Sequence, residues 1–264
     1  MHTPQQPKTP ASPQATSRPQ RYSLLIAYDG AAYAGWQVQP NQRTVQSELE
    51  AVLRRLAGAP VKLHGSGRTD QGVHATGQVA HCDLPFRLPA ASLARALNAL
   101  LPAAIRILRV QPVGAAFHAR RSAARKEYRY CIWNGDVIPP FLRLYRTHVR
   151  MPLDVRAMRQ AAALLVGRHD FAAFTANPNR EVESTRRHVM KLTVSRKGPE
   201  IIIRAQSDGF LYKMVRSLAG FLIRVGAGAV PPEEALRILH SKIRTARVPT
   251  APPQGLFLWR VWYV

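Results

Sequence analysis

Residues 22–58 read YSLLIAYDGAAYAGWQVQPNQRTVQSELEAVLRRLAG, and this stretch decides the fold class. Tyr22 to Tyr28 is an apolar run of strand length that stops at the turn signal Asp29-Gly30. A helix is predicted next. Thr44 caps it, Val45, Leu49, Val52, Leu53 and Leu56 recur at helical spacing, and Gly58 stands where a left-handed stop is wanted. A strand that feeds a helix through a polar connection opens an α/β unit.

Working outward, short strands are predicted at Val61–Leu63 and Gln78–Asp83, a helix near Pro89–Leu100 and a strand at Ile105–Gln111. These complete a first α/β lobe over residues 21–114. Residues 115–264 form a second lobe in the same style. It has a strand at Lys126–Trp133, a helix capped by Asp154, and a hairpin of His188–Arg196 with Glu200–Gln206 around Lys197-Gly198. An amphipathic helix carrying Phe210, Met214, Val215, Leu218, Phe221, Leu222 and Val225 follows, and Leu256–Val264 closes the chain as a strand. The recurring order of strand, helix, strands, helix and strand predicts an α/β (α+β) protein of two similar lobes sharing a mixed sheet. Residues 1–20, with five prolines among Gln, Ser and Thr, read as a disordered tail.

The charge balance narrows the partner. The chain has 264 residues with 38 Lys and Arg against 15 Asp and Glu, a formal +23, and 31 of the 38 cations are Arg. Guanidinium groups favour bidentate contacts with phosphate and stacking on flat rings, so a polyanion is the expected partner. Only Lys8 and Arg18 lie on the tail, so the surplus belongs to the folded part. An apolar content of 46% excludes disorder of the whole chain. The apolar stretches fall short of the ~20 residues that span a bilayer, and no signal-peptide core opens the chain, so a cytoplasmic protein with no membrane partner is expected. Cys82 and Cys131 are the only cysteines, too few for a disulfide framework or a zinc site.

The densest polar cluster is His64-Gly65-Ser66-Gly67-Arg68-Thr69-Asp70-Gln71-Gly72-Val73-His74-Ala75-Thr76-Gly77-Gln78. Its four glycines and many polar groups predict a loop that approaches something closely. It is not a P-loop, a G-x-S-x-G elbow or a dinucleotide fingerprint, and His64, His74 and His81 lack the spacing of a helical zinc site. What remains is Asp70, two residues from Arg68. Spacing leaves two readings open: a loop ion pair, or a carboxylate nucleophile favoured by a nearby cation.

The run Gly67-Arg68-Thr69-Asp70-Gln71-Gly72-Val73-His74 resembles the G-R-T-D-x-G-V-H motif of the tRNA pseudouridine synthase A (TruA) family. Tyr28-Asp29-Gly30 with Gly35-Trp36-Gln37, Phe117-His118-Ala119-Arg120 with Lys126, Tyr128, Arg129 and Tyr130, and Phe210-Leu211 with Met214-Val215-Arg216 and Gly220 resemble further family segments in the same order. The resemblance runs from about Tyr22 to Val264. It implies the pseudouridine synthase fold, with a largely antiparallel sheet flanked by helices, and an Asp70 loop in a basic cleft between the lobes. It also implies isomerisation of uridine to pseudouridine at tRNA positions 38, 39 and 40, without cofactor or metal, by a homodimer.

Residue by residue, the resemblance makes Asp70 the catalytic aspartate, Tyr128 the tyrosine that packs on the target uracil, and Arg216 the basic partner of the aspartate. Arg68 is expected to fill the space of the extruded base. Arg120, Arg121, Arg125 and Arg129 read as an RNA-facing cluster. Two departures from the family pattern, Glu127 and Asp208, add negative charge and bear on the RNA contacts. The competing classes are a tRNA-binding protein without catalysis and a nucleoside hydrolase using the same carboxylate.

Overall fold

The computed structural model describes residues 19–176 and 183–263. All but the last two residues of the predicted tail lie outside that range, and Gln20 already belongs to the first strand. The elements are β1 (Gln20–Tyr28), α1 (Val45–Ala57), β2 (His64–Gly65), β3 (His74–Leu84), α2 (Ala90–Leu100), β4 (Ile105–Val113) and β5 (Ala123–Trp133). After these come β6 (Thr147–His148), α3 (Val155–Leu164), β7 (Gly167–Asp170), β8 (Arg186–Lys197), β9 (Glu200–Ser207), α4 (Met214–Gly226), α5 (Glu234–Ser241) and β10 (Leu256–Tyr263).

One sheet runs through the molecule in the order β4-β1-β3-β10-β5-β9-β8-β7, with β2 beside β3 and β6 beside β5. Only β3 with β10 and β5 with β6 are parallel; the other pairs are antiparallel. The mixed, largely antiparallel architecture with flanking helices is therefore as expected. The short parallel pairing of His74-Ala75 with Phe257-Leu258 joins the strands of the first half to those of the second.

Local chemistry explains the elements. Thr44 accepts from Ser47 N while Ser47 Oγ accepts from Thr44 N, so α1 opens in a reciprocal capping box and ends on left-handed Gly58. Leu24 and Ile26 of β1, Leu49 and Leu53 of α1, and Leu93 and Leu97 of α2 are fully buried in one core. Each such side chain contributes about 1.5–3 kcal/mol of burial. In the second half Tyr130, Ile132, Ile201 and Ile203 of the sheet and Leu218, Phe221 and Leu222 of α4 are buried in the same core.

Several boundaries differ from the sequence reading. Val61–Leu63 is not a strand, because Glu50 Oε1 takes the Leu63 N–H and Gln46 Nε2 takes its carbonyl, so α1 side chains replace a ladder. The hairpin turn is Gly198-Pro199, with Lys197 paired to Glu200 and Gly198 at φ +57°. Phe210 and Leu211 precede α4, which opens at Met214 after left-handed Lys213. The polar run from His64 to Gln78 is not all loop, since its ends form β2 and β3. Its Ser66, His74 and Gln78 are buried with their hydrogen bonds satisfied inside the protein.

Candidate active site

Asp70 sits on a loop gripped at almost every residue. Lys126 Nζ donates to the Ser66 carbonyl at 2.6 Å, and Gln78 Nε2 donates to the Gly67 carbonyl at 2.9 Å while its Oε1 accepts from Ser66 Oγ at 2.7 Å. Tyr28 Oη and Thr69 Oγ1 share a buried hydrogen bond of 2.8 Å, and Trp36 N donates to the Thr69 carbonyl at 3.0 Å. Gly35 makes the last approach possible. At φ +93°, a Cβ there would stand 2.6 Å from the Thr69 carbonyl oxygen. Burial, then the charge of Arg120, lowers the Lys126 pKa to about 8.

The carboxylate so held pairs with Arg216, not with Arg68. Arg216 Nη1 lies 2.9 Å from Asp70 Oδ2, and the two side chains are 12% and 24% exposed, so the pair is protected but reachable. Arg216 Nε donates to the Ala251 carbonyl at 2.7 Å, which fixes the plane of the guanidinium. Arg68 is exposed, and its Nε donates to Gln37 Oε1 at 3.1 Å. The local ion pair between Arg68 and Asp70 is thereby replaced by one that spans the two halves of the chain.

Tyr128 projects from β5 on the helix side of the sheet, edge-on to Phe210 at 5.2 Å between ring centroids. Burial, then the neighbouring Tyr28 and Asp70, pushes its hydroxyl pKa up, so it stays protonated. Tyr128 thus lies within electrostatic reach of Asp70, which is itself paired with Arg216.

The four arginines do not form one cluster. Strand alternation turns Arg125 and Arg129 to the face of β5 opposite Tyr128, where Arg125 stacks on Trp262 (4.5 Å) and Arg129 on Trp259 (3.7 Å). Arg120 and Arg121 are exposed on the connection before β5, their N–H groups donating to His118 Nδ1. Glu127 lies on the same face of β5 as Arg125 and Arg129, between them. It is buried, and although burial alone would raise its pKa, hydrogen bonds from Arg204, Gln206 and Arg129 hold it below the usual carboxylate range. Asp208 is exposed, its Oδ1 accepting from His188 N and Ser207 Oγ at 3.1 Å each.

Sequence reasoning missed Lys126, Gln78 and Tyr28 as supports of the loop. Their signal was present, since Lys126 and Tyr128 share a strand face by alternation, but the carbonyls they meet come from distant segments. His74 was read as the end of the motif and as a poor zinc ligand, with no structural role. It is a buried link, donating from Nε2 to the Leu144 carbonyl and accepting at Nδ1 from Gly30 N. Among the described residues no group of three or more His, Cys, Asp or Glu is placed to hold a metal ion.

A sequence profile of the family described as tRNA pseudouridine synthase matches residues 24–120 and 161–264. The tRNA pseudouridine synthase A of Brevibacillus brevis is 46% identical over 243 residues, covering 92% of this chain and 99% of its own. That of Exiguobacterium sp. is 45% identical over 243 residues, covering 92% and 98%. Among solved structures, a chain of a Cbf5-Nop10-Gar1 complex matches at 16% identity and a TM-score of 0.31, covering 76% of this chain and 54% of that one, too distant a likeness to bear on the site. These matches place the chain in the class of RNA-modifying isomerases. Within that class, the chain belongs to the tRNA pseudouridine synthase family.

Proposed function

We propose that this isomerase converts uridine to pseudouridine at positions 38, 39 and 40 of tRNA, with Asp70 as the nucleophile. The observation that carries the reading is the ion pair of Asp70 with Arg216 on a loop locked by Lys126, Gln78 and Tyr28. A preorganised carboxylate spends no reorganisation energy when the substrate arrives.

The target uridine has to leave the stack before a carboxylate can reach it, at a cost of a few kcal/mol. Tyr128 packs on the flipped uracil, and exposed Arg68, bonded to Gln37, fills the space it leaves. The bond from N1 to C1′ then breaks, the uracil turns, C5 bonds to C1′, the hydrogen on C5 leaves as a proton and N1 takes one up. Attack at C1′, addition at C6 and elimination to a glycal all reach this product with the same carboxylate. The reaction is redox-neutral and adds no group, so it calls for no cofactor.

Arg120 and Arg121 bind tRNA phosphates beside the Asp70 loop. Arg125 and Arg129 serve the opposite sheet face, where they meet the part of a tRNA that wraps a homodimer. We further read residues 21–114 and 115–264 as two lobes that meet where β3 pairs with β10. Two buried free cysteines suit a cytoplasmic site of action, and no helix among the described residues is long and apolar enough to cross a membrane.

The test is release of tritium from C5 of labelled tRNA uridine, with primer-extension mapping of the modified positions. Asp70→Asn should abolish release and leave tRNA affinity within about twofold, since the change removes a charge at the centre of the reaction and no phosphate contact. Near-normal turnover by Asp70→Asn would overturn the assignment. Binding without release by the unaltered protein would favour a pure binder, and free uracil would favour a hydrolase.

A further inference from the structure

The seat of Arg216 depends on a second guanidinium. Arg244, just after α5, donates from Nη1 to Ser217 Oγ (2.8 Å) and the Thr175 carbonyl (3.1 Å), and from Nη2 to Thr250 Oγ1 (2.9 Å). All three acceptors are neutral, and among the described residues no carboxylate pairs with it. Ser217 lies in the first turns of α4, whose positive end disfavours a cation. A half-buried cation with no acid beside it, at the wrong end of a helix dipole, is not a placement that stability alone favours.

The three bonds close a specific gap. Ser217 follows Arg216 on α4, while Thr250 precedes Ala251. The Ala251 carbonyl accepts from Arg216 Nε at 2.7 Å, and Ala251 N donates to the Arg216 carbonyl at 3.0 Å. The loop of residues 249–251 lies directly on α4 because of Gly220, where a Cβ would stand 2.1 Å from the Pro249 carbonyl oxygen. Arg244 therefore ties together the two walls between which the Arg216 guanidinium is oriented.

We propose that Arg244 is a positioning residue for the isomerisation: it locks the 249–251 loop to the start of α4, so that the Ala251 carbonyl aims Arg216 at Asp70. This rests on Asp70 and Arg216 as the reacting pair. A loop freed from Arg244 lets the guanidinium swing, and a misplacement of about 1 Å costs on the order of 100-fold in rate.

The experiment is a mutant cycle read by single-turnover tritium release and by tRNA binding. Arg244→Met and the near-isosteric Thr250→Val should each lower the saturating rate by about tenfold or more, with tRNA affinity within about twofold. Arg244→Lys, which keeps fewer of the bonds, should fall between. On an Arg216→Lys background, whose ammonium lacks the fixed fork that bonds Ala251 and Asp70 together, Arg244→Met should change the rate by less than about twofold. Equal losses on both backgrounds would overturn the proposal, because the effect would not pass through Arg216. So would weaker tRNA binding with the saturating rate preserved, which would make Arg244 an RNA contact. Should Arg244→Met fail to fold, Thr250→Val carries the same cycle. Failure of the Asp70 assignment would show separately, as turnover by Asp70→Asn.

Discussion

Tyr128 is 8% exposed, and its hydroxyl makes no hydrogen bond to another side chain or to the backbone among the described residues. Among the described residues only Arg204 Nε is a buried side-chain polar atom without a partner, so the Tyr128 hydroxyl is not a buried orphan and lies open to solvent and to a bound uracil. Tyr128→Phe should therefore leave the thermal midpoint within about 2 °C and slow tritium release by about tenfold or more at saturating tRNA. A normal rate would reduce Tyr128 to a packing residue. His81 gives a prediction of another kind. Burial, then Arg21, His118 and His64, lowers its pKa to about 4, against about 6.5 in an unfolded chain. The folded protein holds this ring neutral while the unfolded chain protonates it, so stability is lost as pH falls from about 6.5 to about 4. His81→Asn keeps an acceptor for Ala119 N and does not titrate; its urea midpoint should fall less over that window than that of the unaltered protein. At this scale Asp70 itself was legible as a motif carboxylate. Its partner was not legible from spacing, because Arg216 is 146 residues away in the chain.

The segment that carries Asp70 was predicted as a glycine-rich loop that approaches something closely, and it is a fixed insert between β2 and β3. Its order comes from side chains on other elements: Lys126 of β5, Gln78 of β3, Tyr28 of β1 and the backbone of Trp36. Gln78 is fully buried and serves two partners, so Gln78→Leu leaves Ser66 Oγ and the Gly67 carbonyl unpaired. It should destabilise the fold by about 2–4 kcal/mol, read from urea unfolding, and slow the reaction more than it weakens tRNA binding. A loss of affinity alone would show that the loop's rigidity does not serve the chemistry. The helices with clear caps, α1 behind Thr44 and α3 behind Asp154, were legible because a cap is a local event. The segment Val61–Leu63 was misread as a strand because its hydrogen bonds go to side chains of α1, a choice that apolar alternation does not encode.

Across the molecule, the four arginines read as one RNA-facing cluster separate into two pairs. Arg120 and Arg121 are exposed on the connection into β5, and Arg125 and Arg129 stack on tryptophans of β10 on the other face of the sheet. Each phosphate contact releases about one counterion, so Arg120→Ala should lower the slope of log affinity against log salt by about 1. Arg125→Ala, whose guanidinium is already stacked on Trp262, should change that slope by less. Equal slopes for the two variants would return Arg125 to the same phosphate-binding surface as Arg120. The sequence by itself determined that this is an α/β protein for a polyanionic partner, built around a G-R-T-D carboxylate, because composition, periodicity and motif are properties of the local chain. Tertiary structure decided which arginine pairs with that carboxylate, which residues hold its loop rigid, and which face each guanidinium serves. Those are distances between segments far apart in sequence, and they exist only once β3 and β10 have paired and closed the sheet.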